Sequence, residues 1–307
     1  MAWSGNSFDP IMAEIWTKEV ERTAEPMTLL KKFCIIKEDL LKNPGDKIWI
    51  PKFGQLTGDG VAEGTELEGN EADYAATAQD VTPVEITNGV KVLKKDLEKT
   101  PVALRKECAQ ALGDWAARKE DSDIWAVAVA GTQVKYGGDA TTRASIDSTD
   151  VFTAVKASQI AALMKSNNVP QYIVDGISCY IGLLHPRVAY DLKQDTTWIN
   201  AQRDSALRGN KNNLFTGAIG MLDGVVYYET SQASTATGWG CPSLAAYQSV
   251  FFGQRALCIA VGQRWKWVEK EFDYGRKVGL GAYMRSKPAI LNDTHIYRLE
   301  CAVTDIT

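Results

Sequence analysis

The chain has 307 residues, 45% apolar and 23% charged, an ordinary globular balance that excludes disorder as the default over any long stretch. Its 38 acidic residues outnumber 34 Lys and Arg, for a formal charge of −4, which excludes a dedicated nucleic-acid binder because neutralising phosphates takes clustered cations in excess. No run approaches the ~20 apolar residues of a bilayer crossing, and residues 1 to 10 lack the basic and apolar regions of a secretory leader, so synthesis in the cytoplasm is expected.

The first predicted element is a helix: Asp9 can cap, Pro10 suits the first position, and Ile11, Ile15, Trp16 and Val20 recur at helical spacing. Pro26 marks its break. An apolar stripe with Trp3 and Trp16 ahead of any compact domain needs something to pack on, either its own body or a neighbour.

Residues 47 to 53 read as a strand entered through a Pro44-Gly45 turn, and Val81–Thr87 with Val90–Leu93 as the returning one. Pro51 and Pro83 lack the N–H that a central strand donates, which places both strands in an isolated ribbon. Between them, residues 54 to 80 hold five glycines, seven carboxylates (Asp59, Glu63, Glu66, Glu68, Glu71, Asp73, Asp80) and no Lys or Arg. This is a long anionic tip.

Thr100-Pro101 opens the strongest predicted helix, which keeps Leu104, Cys108, Ala111, Leu112, Trp115, Ser122, Trp125 and Val129 on one face as far as Gly131. Gly113 and the charged stretch from Arg118 to Asp123 are candidate bends. From residue 150 the texture alternates: a helix from Asp150 through Met164, a strand from Ser178 to Leu184, then helices after His185-Pro186 and near Trp198 to Leu207. Gly-rich strands follow at 217 to 229 and a loop at 231 to 243. Tyr247–Phe252, Trp265–Glu269, Lys277–Arg285 and His295–Val303 read as strands that return to pack on the long helix.

The chemistry of catalysis is thinly represented. Six scattered cysteines include no C-x-x-C pair, so they read as buried free thiols rather than a zinc site or a disulfide framework. Glycines 217, 220 and 224 have the wrong spacing for a dinucleotide loop. Gly176-Ile-Ser178-Cys-Tyr180 lacks the second glycine of a nucleophile elbow. One of only two histidines, His185, precedes a proline at a strand-to-helix corner, where its ring can bond backbone. No enzyme activity, cofactor or metal is expected.

These elements, in this order, resemble the tailed-bacteriophage major capsid proteins of the Hong Kong 97-like fold, and more narrowly the major capsid family of coliphage N-four. The residues that carry the resemblance are Ile15-Trp16, Lys18-Glu19 and Arg22 to Pro26; Gly45-Asp46 and Ile50 to Gly54; Gly58-Asp59-Gly60 and Glu63-Gly64; and Val81 to Glu85. Leu112 to Ala116, His185-Pro186, Ala189 to Leu192 and Asp273-Tyr274-Gly275 complete it.

The resemblance implies an α+β subunit with an N-terminal arm (1–45), an extended β-hairpin loop (46–93), a peripheral domain with a long spine helix (94–149), an axial domain (150–246) and returning peripheral strands (247–307). It implies self-assembly into hexamers and pentamers of an icosahedral head shell around double-stranded DNA, held without tight or sequence-specific binding. The implied partners are a portal, a separate scaffolding protein and a decoration protein, with no membrane, and the implied location is the virion. An encapsulin-like compartment is the alternative. Some shells of this fold weld neighbours through a loop lysine, but residues 53 to 90 hold none, so no such weld is expected.

The expected intersubunit residues are Ile15, Trp16 and Val20 in the arm, with Leu56, Asp59, Glu63, Glu66, Leu67, Glu68 and Tyr74 in the loop. The anionic tip, residues 54 to 80, is expected to lie across a neighbouring subunit's peripheral domain, where the resemblance places such a loop and where residues 91 to 106 and 264 to 287 offer opposite charge, each with a net +4.

Overall fold

The computed structural model describes residues 29–42, 45–53, 61–64, 66, 68, 76–95, 104–174, 176–205, 218–233, 235–237 and 245–305. Its first strands are β1 (Ile35–Lys37), followed by the one-turn α1 (Asp39–Lys42), then β2 (Ile48–Phe53), β3 (Ala76–Val81) and β4 (Val84–Leu93). The long helix α2 (Leu104–Ala128) leads through β5 (Val134–Tyr136) to α3 (Ala154–Ser166), β6 (Tyr172–Val174) and β7 (Ile177–Leu184). Next come α4 (Pro186–Gln194), α5 (Thr196–Ser205), β8 (Ala218–Leu222), β9 (Val225–Glu229) and β10 (Thr235–Thr237). The chain returns through β11 (Ala245–Phe252), β12 (Leu257–Phe272), β13 (Lys277–Ile290) and β14 (Ile296–Cys301).

Eight strands form a mixed sheet in the order β5-β14-β11-β7-β9-β8, with β10 beside β11 and β6 beside β7. Strand periodicity divides its side chains between two cores. Tyr180, Leu184, Val225, Tyr227, Tyr247, Phe251, Tyr297 and Leu299 face the helical layer of α3, α4 and α5. Cys179, Ile181, Leu183, Val226, Val250, Phe252 and Ile296 face the other way, onto Leu30 and the C-terminal half of α2. Burial on both faces explains why 179 to 184 reads as an unbroken apolar run rather than an alternation.

A second sheet, β1-β12-β13-β4, packs Trp267, Val278, Leu280 and Ala282 on Ala109 and Leu112 near the start of α2, while the first residues of β12 are buried on both faces. One helix therefore serves both sheets. At 1.5 Å per residue its 25 residues span ~37 Å. Its buried positions (109, 112, 113, 116, 117, 120, 121, 124, 125 and 128) advance by alternating steps of three and one. This stripe differs from the expected face: Ala111 and Ser122 are exposed, and small residues let both sheets approach the backbone closely.

Other expectations need correction. The ribbon strand β2 pairs with β3, in the register Ile48 to Val81 and Phe53 to Ala76, not with residues 84 to 93. Those form β4, which pairs along its length with β13, because Thr82-Pro83 interrupts the ladder and releases the chain to a different sheet. Residues 235 to 237, expected in a loop, form β10. Asp150 does not cap α3. It is buried, and its carboxylate accepts from the N–H of Asp139 (3.0 Å) and of Asp147 (2.8 Å), closing the loop after β5. The expected Thr100-Pro101 helix start lies outside the described residues.

The cap of α3 comes from elsewhere. Asp195 Oδ2 accepts from Ala154 N (2.9 Å) while Oδ1 accepts from Thr197 N (2.8 Å), so one carboxylate caps both α3 and α5. Burial pushes the Asp195 carboxyl up, but the donors from Ala154, Thr197 and Trp198 outweigh it and hold the group below the ordinary carboxylate value. Its contribution is therefore present above the unfolded value near pH ~4 and is lost as pH falls through the lower folded value. Asp195→Ala is expected to cost roughly 1–2 kcal/mol in urea unfolding at pH 7. The difference from the unaltered chain should shrink below pH ~4.

Candidate interaction surfaces

Among the described residues, nothing gathers the groups of an active site. No three His, Cys, Asp or Glu side chains are close enough to hold a metal ion. Cys179, Cys258 and Cys301 are buried, Cys34 and Cys108 are partly buried, none of these five is in a disulfide, and Cys241 lies outside the described residues. Burial pushes the Cys34 thiol up to about 12, with Cys258 and Asp121 adding to the shift, so it stays protonated at neutral pH. At the start of α4, His185 Nδ1 accepts from Arg187 N at 3.2 Å and the ring lies 4.6 Å from that of Tyr247. Burial, and then Arg187, lower its pKa, which keeps the ring neutral as a cap. The sequence anticipated this structural role.

The polar centre of the fold sits on α2, where two carboxylates, Glu120 and Asp121, occupy the buried stripe. Asp121 Oδ1 accepts from Leu30 N at 3.1 Å. Glu120 accepts from Trp265 Nε1 at 2.8 Å and pairs with Lys31 Nζ at 3.1 Å. Burial pushes the Asp121 carboxyl up, the N–H groups of Leu30 and Leu29 oppose that shift, and Glu120 adds to it. These two acids fasten the 3₁₀ turn Leu30–Phe33 to both α2 and β12. Sequence reading counted them as part of a charged bend. Their alignment with the buried positions three and four residues away was the available signal.

The ribbon has one buried and one exposed apolar side. Ile48, Ile50 and Val81 bury its inner side against Cys258, Ala260 and Leu291. Gln79 Nε2 donates to Ile290 O at 2.8 Å, beside an open cleft of about 460 Å³ that Lys52, Asp80 and Asp293 also line. Alternation then turns Trp49, Pro51 and Phe53 outward, leaving Trp49 64% and Phe53 65% exposed. Two large rings on one face of a two-stranded ribbon mark a contact surface, since burying each contributes ~1.5–3 kcal/mol.

Of the expected interface residues, Ile15, Trp16, Val20, Leu56, Asp59, Leu67 and Tyr74 lie outside the described residues. Glu63, Glu66 and Glu68 are exposed. The expectation missed Trp49 and Phe53 because residues 48 to 53 were read for strand type alone. The period-two pattern with Ile48 and Ile50 inward already separates them.

Comparison with known proteins defines the class. The capsid of Ralstonia phage GP4 superposes with a TM-score of 0.77 at 20% identity, covering 90% of this chain and 88% of that one. The capsid of cyanophage Pam1 gives 0.73 at 19% identity, covering 89% of each. The fold is thus the α+β phage capsid fold of Hong Kong 97-like type. The family model for phage capsid protein matches residues 31–135 and 125–285, and the chain belongs to that family. The major capsid protein of Pseudomonas phage KPP25 is 35% identical over 112 residues, 34% of this chain and 30% of that protein's length.

Replacing Asp121 by Ala should leave the Leu30 N–H buried without an acceptor, at a cost of ~1–3 kcal/mol. The expected sign in amide exchange is faster exchange at Leu30 with protection retained in β7 and β11.

Proposed function

We propose that the chain is the major capsid protein of a tailed phage, copies of which assemble as hexamers and pentamers into the icosahedral shell of the virion around double-stranded DNA. The observation that carries this reading is the match to the capsid family over most of the chain, together with a ribbon strand that holds the large ring of Trp49 64% exposed. Each such contact is modest, and closure of a shell multiplies many of them. The chain acts by packing and carries out no reaction.

The divisions suggested by the sequence serve this reading: an arm at 1–45, an extended loop at 46–93, peripheral segments at 94–149 and 247–307, and an axial domain at 150–246. Ile15, Trp16 and Val20 would pack on a neighbour, as would Leu56, Leu67 and Tyr74, with Asp59, Glu63, Glu66 and Glu68 setting register. Portal, scaffolding and decoration proteins are the further partners. A net charge of −4 suits a container that encloses DNA and must release it.

Expression with the scaffolding protein, followed by electron microscopy, tests the proposal, and a chain that remains monomeric in every condition overturns it. Trp49→Ala should reduce the assembled fraction about tenfold or more at fixed concentration. Because Trp49 is mostly exposed, thermal unfolding of the free subunit should be nearly unchanged.

A further inference from the structure

The four-stranded sheet turns Trp267, Val278, Leu280 and Ala282 to α2, so strand alternation turns the residues between them to the opposite face. The register of β12, β13 and β4 sets these outward residues in rows, with Lys270, Gly279 and Lys91 in one and Val268, Gly281 and Gly89 in the next. Lys277 lies one row beyond on one side, where it meets Asp273 of the turn at 3.5 Å. On the other side follow Lys266 and then Arg285, which stands opposite Glu85. Five cations thus share this face with the one carboxylate of Glu85, although the chain as a whole is acidic. Lys91, Lys266, Lys270 and Lys277 are exposed, and eight strand steps of ~3.3 Å from Lys277 to Arg285 spread the charge over ~26 Å.

The floor between these cations is bare backbone. A glycine weakens a strand interior, and its presence marks either tight packing within the fold or close approach from outside. At Gly279 the reason is internal, because the Phe272 ring lies over it and a Cβ there would come within 2.6 Å of that ring. Gly281 is different. A Cβ there would meet Asn88 O at 3.7 Å and Val268 O at 3.8 Å, both ordinary contact distances, so that packing does not demand a glycine. The Phe272 ring is itself engaged by Lys91 Nζ at 4.7 Å and Lys270 Nζ at 5.4 Å from its centroid. It acts as a spacer that holds two ammonium groups beside the floor, not as a platform for a stacked base.

We infer that this sheet face binds the phosphate backbone of duplex DNA without reading its sequence, with Lys91, Lys266, Lys270, Lys277 and Arg285 as the phosphate contacts. The inference rests on the reading above that the shell encloses double-stranded DNA, and it names the surface of the subunit that meets it. Duplex DNA presents a dense array of charge of one sign, which the spaced cations of this face complement. Reading bases would take a helix or a strand ribbon inserted into a groove, whereas a flat floor with cations along it supplies position alone. With Glu85 offsetting one of the five cations, about four phosphates are neutralised, so log K should fall against log salt with a slope of about −3 to −4. That slope weakens binding roughly a hundredfold between ~50 and ~200 mM salt. One subunit therefore grips DNA weakly, and many copies on a shell act together.

Fluorescence anisotropy of a labelled duplex of mixed sequence, titrated with the full-length chain over a range of salt, tests this. The unaltered chain should show the stated slope, and Lys91→Gln with Lys270→Gln should flatten it by about two while leaving the far-ultraviolet spectrum unchanged. Gly281→Glu sets a carboxylate on the open floor and should weaken binding about tenfold at low salt. Lys135→Gln, an exposed change in the other sheet, should alter binding little. Absence of duplex binding at low salt overturns the inference, as does a slope that the double lysine variant leaves unchanged or tighter binding of a single strand than of the duplex. If the double lysine variant keeps DNA binding but loses shell assembly, the face is a joint between subunits and the inference falls. Shells built from a chain without affinity for DNA remove this contact and leave the capsid reading standing. A chain that binds DNA with the stated slope but never assembles removes the capsid reading and supports the contact.

Discussion

Two carboxylates in a buried helix stripe are expensive, and the cost of leaving either without a partner determines what must surround them. Glu120 and Asp121 meet that demand with groups from two distant places: the Leu30 N–H and Lys31 ammonium of one turn, and the Trp265 indole. The acids thereby tie the turn Leu30–Phe33, the long helix and strand β12 together. Both sheets then inherit their positions from α2, because Ala109 and Leu112 meet one sheet, and Ile124, Trp125 and Ala128 meet the other.

How much of this could be read in the sequence depended on whether a signal was local. The isolated ribbon, the long helix and the alternating segment after residue 150 each followed from spacing and composition, although the cap expected of Asp150 is supplied by Asp195. His185 was legible for the same reason, since its neighbour Pro186 fixes a helix start and its ring needs only the next N–H but one. Asp195 was not, because half of its work is done on Ala154, a partner far off in sequence. The return of β4 to β13 was equally hidden. Residues 84 to 93 have the composition of a strand, but the choice between β2 and β13 as partner belongs to the tertiary fold. The capsid family itself came from a resemblance of motifs in order, which no single periodicity carries.

The interaction surfaces divide along the same line. Charge is visible in any sequence, so the anionic tip and the two cationic segments were evident before any fold. Their relative placement was not. Only the antiparallel register of β4 with β13 brings Lys91 and Lys94 near Lys270, Arg276 and Lys277 at one end of the sheet, and only the packing of Ile48, Ile50 and Val81 on Leu291 roots the ribbon at the other. Trp49 and Phe53 gain meaning in the same way, since an outward ring matters once the inward face is known to be occupied.

The parallel pairing of β1 with β12 joins Ile35 to Cys258, and the segment between them contains most of the molecule. A ribosome adding ~5–20 residues per second needs roughly 10–45 s to cross that interval. Throughout it, Ile35 has no strand to receive it. Strand β11 is also made late, so β7 waits beside an empty lane. Closure of the subunit is therefore a post-synthetic event governed by long-range pairing. The two ends of the chain thus meet only when synthesis is nearly complete.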